Sequence, residues 1–580
     1  MRETGRQMRV VALLVMGLLL FSPARLTAGP VASIVVLSPS GVTGDVVPEG
    51  EDYFTLVLGD PRDMNQRLDL RFQYPNVTGI SLADGMWYGY GGSYVYPLFS
   101  GLGGAANIGQ AGGQPLLDGT RFRRFSVRAG HNTDGNVRLT YFTGLLTDPG
   151  EAGTYPLATD GMHTVWWDAS LPSNVTGLRL GISGNPFVVD WIRLTDPETS
   201  PVYTITWSVS GVSYINIYGD TDTDPSVLDH RIASWVDATG GSYIWETGYL
   251  APGTYYVYIE DAQNPATAAY SPGPLTIQPA PVAQVTAPSR TSGNDYATVE
   301  LGNPWDMSDS ADVTFMYHLA SVSFSDGALN ATTTGVDPYI HLRDAGPNSI
   351  ETDYYHYLTW RFYVEGDWAD SRLRLNSKTD RWGVSRLFLD TLEADYNTFN
   401  DVIPWEGWTT YQMDLAYGDG RGYLDDAAPG PGAGWNGLRS LVRLDFLEPV
   451  ADDRWRIHLD SVLLTADPRP QEDGTYVIAW QITQGVPITT TLFYDTSPDS
   501  VCEGGTFIAR IVPQEPQPPV EPFRAYLPLV LTGQFDASAQ QYVWESAGGL
   551  AAGEYYIGVL LDDGLSQTCW VGDAPLVIDP

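Results

Sequence analysis

The chain has 580 residues and a formal net charge of −38, from 69 acidic and 31 basic residues. A field of that sign repels phosphate backbones and anionic lipid, which argues against nucleic acid and acidic membrane surfaces as partners. With 61 Gly and 41 Pro breaking up the sequence, long helices are not expected either.

At the N-terminus, Arg2, Arg6 and Arg9 precede the apolar run Val10–Phe21, and small and polar residues follow to Thr27 and Ala28. Twelve residues at about 1.5 Å each fall well short of a roughly 30 Å hydrocarbon core. Residues 1–28 therefore read as a secretory signal peptide, with an uncleaved N-terminal anchor as the alternative. No later apolar run is long enough to span a membrane, so the expected location is secreted, extracellular or at the cell surface.

Residues 51–64, EDYFTLVLGDPRDM, return as NDYATVELGNPWDM at 294–307, with eight of fourteen positions identical. The shared Gly-x-Pro-x-Asp is turn chemistry: Pro fixes φ, Gly permits a positive one, and Asp bonds nearby amides. It is expected to follow an alternating strand and to form a structural corner, with a ligand site as the alternative. FRRFSVR at 122–128 is matched by YHYLTWR at 355–361, and VVDWIRLTD at 188–196 by HLDSVLLTAD at 458–467. Arg128 and Arg361, each with a matched Asp on a later strand, are expected to share a structural salt bridge. A smaller set of matches follows each large one: YTITW at 203–207 with YVIAW at 476–480, and PLTIQP at 274–279 with PLVIDP at 575–580. The order is large, small, large, small, a tandem duplication with too few copies for a solenoid.

Runs such as YTITWSV, YYVYIED and VRLTYF alternate apolar with polar residues, the period of a half-buried strand, and turn residues punctuate them. The fold class is all-β. Each large unit, at that size, suits a jelly-roll β-sandwich, and each small unit suits a smaller immunoglobulin-like β-sandwich. Pro-rich stretches mark the joints, and residues 512–525 read as an exposed insertion in the second small unit.

Candidate sites come next. In MWYGYGGSYVYPLF at 86–99, Trp87, Tyr88 and Tyr90 sit among glycines that could present them outward as a stacking platform. The alternative is core packing. Trp405 and Trp408 in IPWEGW offer a second such pair. Asp220, Asp222 and Asp224 alternate as calcium ligands do, but Pro225 and Arg231 stand where an EF-hand needs Gly and Glu. A weak structural calcium site and a solvated acidic turn both remain open there. The same choice holds for Asp419 and Asp425 in YGDGRGYLDD. Cys502 and Cys569 are expected to form one disulfide in a secreted chain.

With these residues on the page, a resemblance emerges. The aromatic-x-x-Leu-Thr-x-Arg strand start at 355–361 and the closing strands at 189–194 and 459–464 resemble the galactose-binding-like jelly roll of many carbohydrate-binding modules. The small units resemble the immunoglobulin-like or fibronectin type III-like spacers that alternate with such modules in secreted bacterial proteins. On this reading residues 29–199 and 280–468 are galactose-binding-like jelly rolls, and 200–279 and 469–580 are immunoglobulin/fibronectin-like domains. The resemblance implies glycan binding by analogy with the fold.

Seven histidines are scattered singly, and no HExxH, Gly-x-Ser-x-Gly, P-loop or GxGxxG sequence opens a helix. The expectation is a secreted, non-catalytic protein binding polysaccharide or cell-surface glycan through its large units. The alternatives are a structural or adhesive surface protein, or the accessory chain of an extracellular hydrolase. No cofactor is expected beyond structural calcium.

Overall fold

The computed structural model describes residues 32–580 except 42–43, 60, 66–68, 74–77, 91–92, 98–116, 132–134, 144–149, 159–160, 176, 183–185, 336–337, 366–384, 389–397, 403–406, 417–434, 436, 447–454 and 513–538. The leader, Trp405, Asp419, Asp425 and most of the Pro-rich insertion lie outside the described residues. No helix among the described residues is long and apolar enough to cross a membrane.

The architecture is all-β. Each large unit is a sandwich of two five-stranded antiparallel sheets with the same strand order in both halves. In the second half one sheet runs Leu319–Ser325, Ala328–Thr333, Arg456–Ala466, Tyr355–Glu365, Gly407–Asp414. The other runs Val313–Tyr317, Tyr339–Leu342, Arg443–Asp445, Ser385–Phe388, Thr398–Val402. Period-two alternation sends Leu358, Trp360 and Phe362 of one sheet, and Ile340, Leu342 and Leu444 of the other, into a common core. Tyr363 and Arg361, or Tyr339 and His341, then face outward.

The repeated fourteen-residue motif is a corner, but not one that follows a strand. Tyr53–Leu56 is a single helical turn, with Asp52 accepting from Thr55 N (3.2 Å) and Thr55 Oγ1 (2.9 Å). In the second half Ala297–Leu301 coils likewise, and Asp295 accepts from Thr298 N (2.9 Å). The other oxygen of each Asp accepts an amide of the closing strand, Leu194 N (2.8 Å) or Leu464 N (3.1 Å). Gly59 and Gly302 then take φ of +69° and +66°, where a side chain would be strained. One short motif therefore caps its own turn and locks the last strand of its sandwich, a structural reason for its retention in both halves.

The small sandwiches depart from the expected boundaries. The strand Ser33–Val36 pairs with Val202–Ser210, and Asp45–Pro48 pairs in parallel with Leu275–Gln278. In the second half Val282–Ala287 pairs with Tyr476–Gln484. Each small sandwich thus takes its first strand from ahead of the large unit, which is inserted behind it. Cuts at 199/200 and 468/469 separate each small sandwich from that strand.

The halves meet at Glu49. Its carboxylate accepts from buried Arg193 Nη1 (2.7 Å) and from Ala280 N (2.6 Å), and Gln484 Nε2 approaches it (3.3 Å).

Candidate saccharide-binding faces

Trp87 is turned inward. It lies opposite Val189 on a paired strand, is only 8% exposed and joins the core of the first large unit. This corrects the expectation of an outward platform: alternation along Met86–Tyr90 puts Trp87 on the core side of the sheet. Tyr88, on the other face, is half-buried and its hydroxyl points at Met86 Sδ (3.9 Å). Tyr90 pairs with Thr78 through its backbone.

Trp408 is 38% exposed and stands on the outer face of the second large unit. Its ring lies 5.9 Å from Tyr363 and 4.5 Å from the Arg361 guanidinium carbon. Arg361 in turn donates to Asp460 (3.0 Å), as Arg128 does to Asp190 (2.5 Å) in the first half, so the expected ion pair occurs in both.

Another group of rings among the described residues was not singled out from sequence. On the outer face of the other sheet, Phe315 lies opposite His341 and Tyr317 opposite Tyr339. Phe315 is 47% and Tyr317 41% exposed. Ring centroids are 5.9 Å apart for Phe315–Tyr339, 5.3 Å for Tyr317–Tyr339 and 5.3 Å for Phe315–His341. Across the next strand Arg443 lays its guanidinium 3.6 Å from the Tyr339 ring centre. The same guanidinium donates to both oxygens of Asp445 (2.6 and 2.9 Å), which fixes both side chains at the edge of the rings. Burial first, and then the Arg443 charge, lower the pKa of His341, so its imidazole is neutral near pH 7. Its Nε2 has no hydrogen-bond partner. The signal was present as Phe315-x-Tyr317 and Tyr339-x-His341, aromatics at every second position and so on one face of two adjacent strands. In the corresponding sheet of the first half, the described outward pairs include Arg179 with Thr140 (2.9 Å) and Arg138 with Glu151 (2.9 Å).

Such a surface offers the ring faces of Phe315 and Tyr317 to apolar C–H patches, with the largely buried Arg443–Asp445 pair bracing Tyr339 beneath them.

The acidic turn at 219–226 spends its carboxylates locally. Asp220 is buried, accepts from the Tyr270 hydroxyl (2.5 Å), and burial raises its pKa. Asp222 accepts from Asp224 N (2.7 Å), and Asp224 from Ser226 N (3.0 Å). Among the described residues no group of three or more His, Cys, Asp or Glu side chains is arranged to hold a metal ion. Cys502 and Cys569 are joined, with Cα atoms 5.9 Å apart.

No protein-family model and no curated protein matches the chain. Among solved structures it is similar to a mutant of a carbohydrate-binding module of family 29, at 12% identity and a TM-score of 0.16 over 32% of this chain and 92% of that one. It is also similar to the FN1–FN3 domains of chicken CNTN1, at 10% identity and a TM-score of 0.11 over 66% and 95% of the two chains. A third is the secreted serine protease VesC from Vibrio cholerae, at 9% identity and a TM-score of 0.15 over 57% and 73%. These likenesses are too distant to transfer a ligand or the role of any residue.

Proposed function

We propose that the chain is a secreted, non-catalytic, multidomain protein that binds carbohydrate through its second large unit. The observation that carries this reading is the pair of exposed rings Phe315 and Tyr317, packed beside the half-buried Tyr339. Stacking on these rings supplies apolar contact to sugar rings. The strong negative charge of the chain favours neutral saccharides over acidic ones. The small sandwiches serve as spacers that hold the large units apart.

A glycan array probed with the full mature chain tests the reading, with Phe315→Ala/Tyr317→Ala alongside. Both rings are exposed, so the double variant is expected to fold normally and to lose about tenfold or more in affinity for the glycans that the parent binds. Equal binding by parent and variant, or no glycan bound by either, removes this site. A chain that binds no glycan and instead retains cell-surface protein favours the adhesive alternative.

A further inference from the structure

The same outer face of the same sheet has opposite surroundings in the two halves. In the first half the neighbouring small sandwich covers it. Arg128 Nη2 donates to Asp229 (3.0 Å), Thr164 N donates to the Asp229 carbonyl (2.9 Å), and Val227 lies over Gly161. Trp166 stacks on Tyr249 at 4.8 Å, and Ser126 Oγ donates to the Tyr249 carbonyl (2.7 Å). The covering segment, 221–229, joins the paired strands Tyr214–Asp220 and His230–Asp237.

In the second half the equivalent connection, 496–505, turns back on its own sandwich. Its helical turn Val501–Gly504 buries Val501 against Gly558, and Cys502 is bonded to Cys569 on the strand Gln567–Val571. The face it leaves carries a transverse row from four adjacent strands. Trp408 lies opposite Tyr363, Tyr363 opposite His458, and His458 opposite Asn330. Tyr363 and His458 rings are 5.2 Å apart, and His458 Nδ1 hydrogen-bonds the Asn330 side chain. Among the described residues, Arg361, the counterpart of Arg128, meets no carboxylate from a neighbouring sandwich; it pairs with Asp460 and backs the Trp408 ring.

We infer that this row is a second saccharide-binding site, on the sheet opposite the ring platform. It takes its ligand class, neutral polysaccharide, from the reading above, but its residues are separate. Two adjacent rings are flanked here by an imidazole and an amide and backed by a guanidinium, and aliphatic side chains do not contribute to the row, which suits a sugar chain better than a protein surface. Two sites on opposite faces of one sandwich let a single molecule hold two polysaccharide chains and cross-link them.

The test is affinity electrophoresis of the full mature chain through gels containing galactomannan, xyloglucan or mixed-linkage β-glucan, with turbidity of the same mixtures as the readout of cross-linking. Four variants are compared: Trp408→Ala, Tyr363→Ala, the platform variant Phe315→Ala/Tyr317→Ala, and Trp408→Ala combined with the platform variant. Near-ultraviolet circular dichroism confirms that each keeps the parent fold. The expected result is that each single-face variant is still retarded but no longer produces turbidity. A variant altered at both faces runs as in an empty gel. Parent-like turbidity in both Trp408→Ala and Tyr363→Ala overturns the second site while leaving the platform intact. Loss of all retardation on removing Trp408, with none on removing the platform, overturns the platform and keeps this site. No retardation of the parent in any gel overturns both.

Discussion

Two buried carboxylates at equivalent positions show how one residue changes the electrostatics of a copied site. Asp69 is buried, with Arg62 Nη1 3.9 Å away and equally buried, and Arg62 lies over the Phe54 ring. In the second half Trp305 replaces that arginine, and Asp312 is 1% exposed with Oδ2 unpartnered. Burial, and then Asp306 and Asp309, push its pKa up to about 6 despite a hydrogen bond from Asn303 (2.7 Å). A raised carboxylate pKa means the folded state binds the proton more tightly. This contribution to stability is therefore complete below the unfolded value near 4 and is lost as pH rises through about 6. Asp312→Asn should stabilise the second large unit at pH 7.5 by about 2 kcal/mol and flatten its stability between pH 4 and 7. Asp69→Asn should do the opposite, costing about 3 kcal/mol by removing a carboxylate beside the buried Arg62 guanidinium. Denaturant unfolding of the full chain at pH 5 and 7.5 checks both. Shifts of the same sign would show that the two sites are not balanced differently.

At the scale of strands and turns, His356 is a joint. Its Nδ1 meets Asp414 (2.9 Å) on the neighbouring strand, and its Nε2 meets Asp467 (3.1 Å) at the exit to the small sandwich. Burial lowers its pKa, but the two carboxylates outweigh that and hold it at about 9. The raised value gives stability that is full below about pH 6.5 and is lost as pH rises through 9. His356→Gln should remove that alkaline decline in a series of thermal melts between pH 6 and 10; an unchanged profile would contradict it. The disulfide is a second joint, closing a separation of 67 residues. Replacing both cysteines by serine should cost about 4 kcal/mol on the chain-entropy account. Because the bond holds the 496–505 turn on its own sandwich, the double variant should also become sensitive to proteolysis there.

Elements also mark where sequence could be read and where it could not. The matched motifs and period-two runs gave the sandwiches, because those signals are local. Trp87 was misplaced because a residue between glycines in a strand faces either side according to register, and the run itself does not state the register. The first strands of the small sandwiches escaped notice because Ser33 finds Ser210, a pairing set by tertiary contacts rather than by nearby sequence. Phe315, Tyr317, Tyr339 and His341 lie in two strands separated in sequence, and only their pairing makes them one surface.

For the whole molecule, the two large units share one strand order and one set of corner and ion-pair residues. Shared residues hold the frame: Asp52 and Asp295 at the corner, Arg128 and Arg361 on the outer face. The halves differ in what covers or decorates that frame: Phe315, Tyr317 and Trp408 are exposed in the second, while Asp229 and Tyr249 of the small sandwich contact the outer face of the first. At the junction, Glu49 serves Arg193, Ala280 and Gln484 together. Glu49→Ala would leave the buried Arg193 charge without its carboxylate, at a cost of about 3–5 kcal/mol. Faster proteolysis between residues 278 and 290 is the expected sign of loosened halves, and an unchanged cleavage rate would place the strength of the junction elsewhere.

Hydroxyl-radical footprinting of the full chain, alone and with the polysaccharide that retards it most, tests the central claim most directly. Phe315, Tyr317 and Trp408 should be oxidised in the free chain and protected when polysaccharide is present, while core Trp87 stays unmodified in both. Oxidation of those three rings that is equal with and without polysaccharide would contradict the account.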